Sequence, residues 1–198
     1  MTVVESLIRA RGLGKRYGDK RVLDGLDFDV EVGGFMLVTG PNGSGKTTLL
    51  RLVAGLLVPT AGELRVDTTR DRVGFLGHEP LVYRELTPLE NLTLFARLYR
   101  VAALDRIELL LGQFGLWERR GDRVSTFSRG MQQRLALCRV LLHEPQLLLF
   151  DEPFNALDAD GAALLDRMLD ELGGRTLVVA THDPGRVERL ATSRLELA

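Results

Sequence analysis

A single cysteine, Cys138, in a chain of 198 residues excludes an internal disulfide. Its surroundings, "RLALCRVLL", form an apolar helical pattern, so it reads as a core side chain rather than a redox group, and a reducing, cytosolic setting fits. Long hydrophobic runs are missing too. No window approaches the ~18 apolar residues of a membrane-crossing helix, and the opening "MTVVESLIRARGLGKRYG" lacks the apolar stretch of a signal peptide. If such a chain serves a membrane, another chain must span it. Nor is there an excess of charge of one sign: 26 basic residues face 27 acidic ones, a formal net charge of -1. No long-range field draws the chain to nucleic acid or to an anionic membrane surface; the balance excludes neither, and of the two nucleic acid is not expected as a partner. What remains is ordinary for a soluble globular protein, with 45% hydrophobic and 27% charged residues. That suffices for one domain, or one domain with an insertion.

The chain changes character three times, without internal repeat or low-complexity linker. In "GLDFDVEVG", Leu26, Phe28, Val30 and Val32 alternate with Asp27, Asp29 and Glu31, the period-2 pattern of a half-buried antiparallel strand. "FMLVTG" reads as a buried strand, and "ELRVD" and "RVGFLG" as two more. From about His78 to Thr126 the pattern turns helical. There "TPLENLTLFARLYR" carries a cap at Thr87, a first-turn proline at Pro88 and a capping-box Glu90. The last third reads as helix, buried strand "QLLLFDEP", helix "DADGAALLDRMLDEL" and buried strand "TLVVATH", the alternation of a parallel sheet flanked by helices.

After "FMLV" comes "GPNGSGKTT", which fits G-x-x-x-x-G-K-[ST] at Gly40, Gly45, Lys46 and Thr47. The glycines let successive N–H groups turn toward phosphate oxygens, and the helix opening near Lys46 points its positive end at the same anion. Lys46 then neutralises β- and γ-phosphates and Thr47 offers its hydroxyl to Mg²⁺. A plain glycine-rich turn is the alternative. "LLLFDEP" places Asp151 and Glu152 at the carboxyl end of a buried strand, the edge where parallel sheets bind ligands. Asp151 is placed for the Mg²⁺ shell and Glu152 for activating water; two acids capping a surface turn is the competing reading.

These features leave kinases and GTPases open, and "FSRGMQQR", Phe127–Arg134, narrows the field. Ser128 and Gly130 precede the amphipathic "MQQRLALCRVLLHE", so they sit at a helix N-terminus, a second anion-binding surface without a lysine loop. Two chains facing head to tail would let each string complete the other's site. The string resembles the signature L-S-G-G-Q-Q-Q-R of the ATP-binding cassette (ABC) family; "NALD" resembles its D-loop and "ATHD" its switch-histidine segment, and the likeness covers nearly the whole chain. The resemblance implies an α/β fold: a P-loop NTPase (RecA-like) parallel-sheet core with an N-terminal antiparallel β subdomain and an inserted helical subdomain. It implies one nucleotide-binding domain, with residues 1–77 as β subdomain and phosphate-loop part of the core, 78–135 as helical lobe and 136–198 as the rest of the core.

It also implies roles. ATP and Mg²⁺ are the expected ligands. Tyr17 stacks on adenine; Gly40, Pro41, Asn42, Gly43, Ser44, Gly45, Lys46, Thr47 and Thr48 cradle the phosphates; Ser128 and Gly130 contact the γ-phosphate across a dimer. Asp158 communicates between sites, and Glu152, His182 and Lys46 act in catalysis. Thr47, Asp151 and His78 attend the metal, His78 standing where the family usually has glutamine. Phe127 and Arg129 replace the signature leucine and first glycine. A second cassette, preferably an identical chain, and transmembrane permease subunits are the expected partners, with the chain peripheral on the cytoplasmic face of the membrane. No appended regulatory domain is expected after "RLELA", and the long inserted coiled coils of soluble repair ATPases and the linked second cassette of translation ATPases do not appear in this sequence. "FLGHEPLVYRELTPLENL" resembles the ATPase subunit of the heme exporter of cytochrome c maturation, whereas "SRGMQQR" resembles signatures of several multidrug and lipid exporters.

Overall fold

The alternation in "GLDFDVEVG" becomes β2, Lys20–Glu31, in which Leu23 and Val30 are buried and Asp24, Asp27 and Asp29 are exposed. This computed structural model describes residues 5–101 and 104–198. β2 pairs antiparallel with β1, Ser6–Tyr17, and β1 pairs antiparallel with β4, Ala61–Val66, giving a sheet of order β2-β1-β4. β1 carries no clean alternation in sequence because its register with β2 shifts between Ala10 and Leu13 and twice more before Arg16. Bulges of this kind add residues to one strand and break the period of two.

The continuous apolar runs form a second, wholly parallel sheet. β3 (Phe35–Thr39), β5 (Val73–Leu76), β6 (Leu147–Asp151), β7 (Thr176–Ala180) and β8 (Ser193–Glu196) lie in the order β5-β6-β7-β3-β8. Every residue of β6 and β7 is buried, as expected for strands covered on both faces. α1, Lys46–Val53, places Leu49, Leu50, Leu52 and Val53 in the same apolar cluster as Val38, Leu149 and Val178. Each such leucine stabilises the fold by about 1.5–3 kcal/mol relative to an exposed one. The loop of residues 40–45, expected to bind phosphate, is therefore anchored at both ends in one core.

The chain divides into two compact units, Met1–Gly77 with Gln146–Pro153 and Leu172–Ala198, and His78–Pro145 with Phe154–Glu171. The second is helical: α2 (Pro88–Tyr99), α3 (Leu104–Gln113), α4 (Arg129–Leu141) and α5 (Ala159–Glu171). Thr87 caps α2 through the N–H of Glu90, and the Glu90 carboxylate accepts the Thr87 N–H at 2.8 Å, the reciprocal box read from the sequence. Asn91, fully buried in α2, donates to Tyr83 O and Thr87 O and accepts from Tyr83 N–H, which pins the entering loop.

This helical unit differs from the expected 78–135. It runs to Pro145 because α4 is one uninterrupted helix with Leu135, Cys138 and Leu141 buried, and it takes up α5, whose Gly161 lies against Arg134 of α4. The Cys138 thiol, fully buried, donates to Leu110 O at 3.5 Å, and burial pushes its pKa up. It is a core side chain. Among the described residues no helix is long and apolar enough to cross a membrane.

Candidate nucleotide-binding site

β3 ends at Thr39 and α1 begins at Lys46, so residues 40–45 must turn from the sheet edge into the helix. Gly40 adopts φ 145°, and a Cβ there would lie 2.3 Å from Leu197 O; Gly45 adopts φ 101°, and a Cβ there would lie 2.7 Å from Leu23 Cδ2 and 3.0 Å from Val22 O. Both positions exclude a side chain on conformation and on space. Pro41, Asn42 and Gly43 form the exposed rim, Ser44 is buried, and Thr48 is half-buried in the first turn of α1. Gly45 caps α1 without any side-chain hydrogen bond, so the first-turn N–H groups keep the positive end of the helix open to an anion.

Lys46 folds back over this loop. Its side chain is 7% exposed, and Nζ donates to Gly40 O at 2.7 Å and Pro41 O at 3.1 Å, with Glu152 Oε1 at 3.8 Å. A buried ammonium requires such partners. Ser44 Oγ, also buried, has no hydrogen-bond partner among the described residues. An orphaned hydroxyl beside a buried cation inside a glycine loop fits a phosphate group that would satisfy both.

Asp151 ends β6 opposite Ala180 of β7 and is 3% exposed; the Thr47 hydroxyl donates to its Oδ2 at 2.6 Å. The two oxygen donors expected for Mg²⁺ from the phosphate loop and the acidic strand end are thus adjacent. Among the described residues no three His, Cys, Asp or Glu side chains gather as a metal cluster. Mg²⁺ needs none, since it keeps waters and uses one or two protein oxygens together with substrate phosphates, and the Thr47–Asp151 pair fits that requirement. His78 stands exposed on the bend two residues beyond β5.

Glu152 has φ 50°, uncommon for a residue with a Cβ, and its N–H donates to Ala180 O at 2.8 Å. That conformation turns its carboxylate back along the sheet edge. Oε2 accepts the Thr181 hydroxyl at 2.9 Å and lies 3.0 Å from His182 Nδ1, while Oε1 accepts the His182 N–H at 3.0 Å. Glu152, His182 and Lys46, separated by up to 136 positions in the chain, therefore meet at one carboxylate. Thr181 escaped sequence reading. Its only signal was its place in "ATHD" beside the histidine, at the end of a buried strand.

Tyr17 closes β1 at the β1–β2 turn, paired with Lys20, 46% exposed, with Lys15 Nζ 5.3 Å from its ring centroid. The same β2 strand brings Val22 and Leu23 against Gly45, so the exposed ring belongs to the hairpin that borders the phosphate loop.

The helical unit carries the remaining expected residues. Ser128 is the N-cap of α4, its hydroxyl accepting the Met131 N–H at 3.2 Å, and it is exposed; Gly130 is buried, and a Cβ on it would lie 3.0 Å from Ala156 O. Phe127, in the signature leucine position, is buried with the Arg119 guanidinium 5.5 Å from its ring centroid. Asp158 precedes α5 and accepts the Gly161 N–H at 2.8 Å.

A family model described as ABC transporter matches residues 23–155, from β2 through Asp151 and Glu152. The chain belongs to the ABC transporter family. The ABC likeness extends over most of its length: it is 40% identical over 90% of its residues to a daunorubicin resistance ATP-binding protein of Streptomyces coeruleorubidus. It is 38% identical over 89% of its residues to a cytochrome c biogenesis ATP-binding export protein of Cupriavidus necator, and covers 83% of that protein. It spans 57 to 65% of the length of three curated relatives it matches, the daunorubicin resistance protein among them. A solved dimeric ATP-binding cassette in a post-hydrolysis state, bound to ADP and Pi, superposes with a TM-score of 0.84 at 27% identity, over 96% of this chain and 94% of that one. The α/β fold, with parallel core and antiparallel β subdomain, is that of an ABC ATPase.

Proposed function

We propose that this chain is the ATP-hydrolysing subunit of an ABC transporter, working as a pair of cassettes that close on two nucleotides and pass the motion to transmembrane permease subunits on the cytoplasmic face of a membrane. The observation that carries this is the meeting of Lys46, Glu152 and His182 beside the Thr47–Asp151 pair at one sheet edge. Residues 40–48 bind the triphosphate of the substrate, Tyr17 stacks on its adenine, and Lys46 leaves its loop carbonyls for phosphate oxygens. Thr47 and Asp151 would hold Mg²⁺, with His78 as the third residue expected to attend it, and the ion would supply charge neutralisation on the phosphates. Glu152 takes a proton from the attacking water as its oxygen bonds to the γ-phosphorus and the bond to the ADP oxygen breaks, and His182 holds the γ-phosphate. Ser128 and Gly130 of the second cassette, preferably an identical chain, complete the pocket, and Asp158 links the two sites.

For cargo we propose export, with heme for cytochrome c biogenesis as the substrate; the relative named for that process is matched over 83% of its length. Another efflux system, for a drug or a lipid, is the second reading; one of the relatives is a daunorubicin resistance protein. Turnover measured against protein concentration tests the paired site: a rise in specific activity with concentration is expected, and full activity in strictly monomeric protein would overturn it. Isolation with its membrane partners, followed by heme or drug transport in vesicles, separates the cargoes.

A further inference from the structure

Arg134, the last residue of "FSRGMQQR", has no place in the chemistry above. It lies one helical turn beyond Gly130 on the same face of α4. Its side chain is 14% exposed, and its guanidinium is loosely held: Nη1 donates to Phe114 O at 3.4 Å, Nη2 is 3.9 Å from Asp158 Oδ2, and Nε has no partner among the described residues. The other Asp158 oxygen accepts the Gly161 N–H, so one carboxylate both caps α5 and faces α4. Two glycines allow that approach. A Cβ on Gly130 would meet Ala156 O at 3.0 Å, and a Cβ on Gly161 would meet Asp158 Oδ1 at 2.9 Å and Arg134 Cδ at 3.5 Å. Ala156 itself is held at φ 69°.

We propose that Arg134 is a positioning residue: it holds Asp158 and the 154–158 loop in register with Ser128–Gly130, so that the two strings offered to a second cassette move as one body. The proposal rests on the paired-cassette reading. An ion pair of this length to an Asp158 side chain that is 59% exposed adds little to global stability. Its effect is on orientation, and that separates the proposal from a purely structural role.

The test uses the full chain with Arg134→Gln, Asp158→Asn and the double variant. Arg134→Gln is expected to melt close to wild type and to bind ATP with an affinity within about twofold, while turnover at saturating ATP falls about tenfold. Hydrogen exchange at the Gly161 amide is expected to quicken about fivefold, because its acceptor is no longer oriented. In the double-mutant cycle, the double variant should lose no more turnover than the worse single variant. Unchanged exchange at Gly161, or losses that multiply in the double variant, would overturn the proposal. Should Arg134→Gln fail to fold, exchange at Gly161 in Asp158→Asn is read instead: this variant keeps a cap acceptor but removes the charge, and unchanged exchange there counts against the pairing. If wild-type turnover is independent of protein concentration, the paired-cassette reading fails on its own, and the exchange experiment still judges the contact between Arg134 and Asp158.

Discussion

Two helices of this protein open on expected phosphate-contacting strings, and they open differently. α1 begins at Lys46 with a glycine cap, no side-chain hydrogen bond, a buried cation and a buried orphan hydroxyl on Ser44. α4 begins after Ser128, which caps its own helix through the Met131 N–H and stands exposed, with no buried charge in its first turn. The first turn of α1 has no side-chain cap and is left for a ligand to complete; that of α4 has one N–H, that of Met131, already held by Ser128. An opening of the first kind leaves its first-turn N–H groups to an anion, whereas one of the second kind already gives one of them to its own cap.

The largest effect that would break this contrast is on Glu152. Replacement by Gln is expected to lower ATP turnover by about a thousandfold as the proton acceptor is lost. Nucleotide affinity should rise by a few fold, because the carboxylate now 3.8 Å from Lys46 competes with phosphate for the ammonium. Single-turnover kinetics and fluorescent-nucleotide titration read the two effects apart. Lys46→Ala is expected to weaken ATP binding by about a hundredfold, the order of a lost charge-assisted contact, with α4 unaffected; the same titration checks it.

Gly40→Ala comes next. A methyl group 2.3 Å from Leu197 O at φ 145° is expected to cost about 3 kcal/mol, read as a lower denaturation midpoint. Ser128→Ala should cost about 1 kcal/mol through the lost cap. Ser128→Asp sharpens the comparison: it keeps the cap and the stability, yet should suppress turnover by placing a negative charge where the partner's phosphate arrives.

The smallest effect concerns α2. The Thr87 N–H holds the Glu90 carboxyl below its ordinary range. A lowered folded-state pKa means this contribution is present above the unfolded value and is lost as pH falls through the folded one. Thermal melts of Glu90→Gln against pH should therefore lack this residue's small share of the acid-side decline, which Asp29 also feeds, while nucleotide binding is unchanged.

Much of this was legible from the chain. Thr87, Pro88 and Glu90 announced the start of α2, the run "QLLLFDEP" announced a buried parallel strand, and "GPNGSGKTT" announced the turn between β3 and α1, because each depends on neighbours within a few residues. β1 was hidden by its bulges, and β8 by its four-residue length and half-exposed edge position. The division of the helical unit was hidden as well, since the allegiance of α5 depends on what Arg134 and the glycines at 130 and 161 touch.

Sequence by itself determined which residues can bind phosphate, which can take a proton and where helices begin, because residue type, period and local spacing govern those properties. Only the tertiary structure decided that Lys46, Thr181 and His182 converge on the carboxylate of Glu152 and that Thr47 meets Asp151. Those meetings depend on strand order in a parallel sheet, where β3, β6 and β7 are brought side by side from distant parts of the chain by burial of their apolar faces, and no local pattern encodes that order.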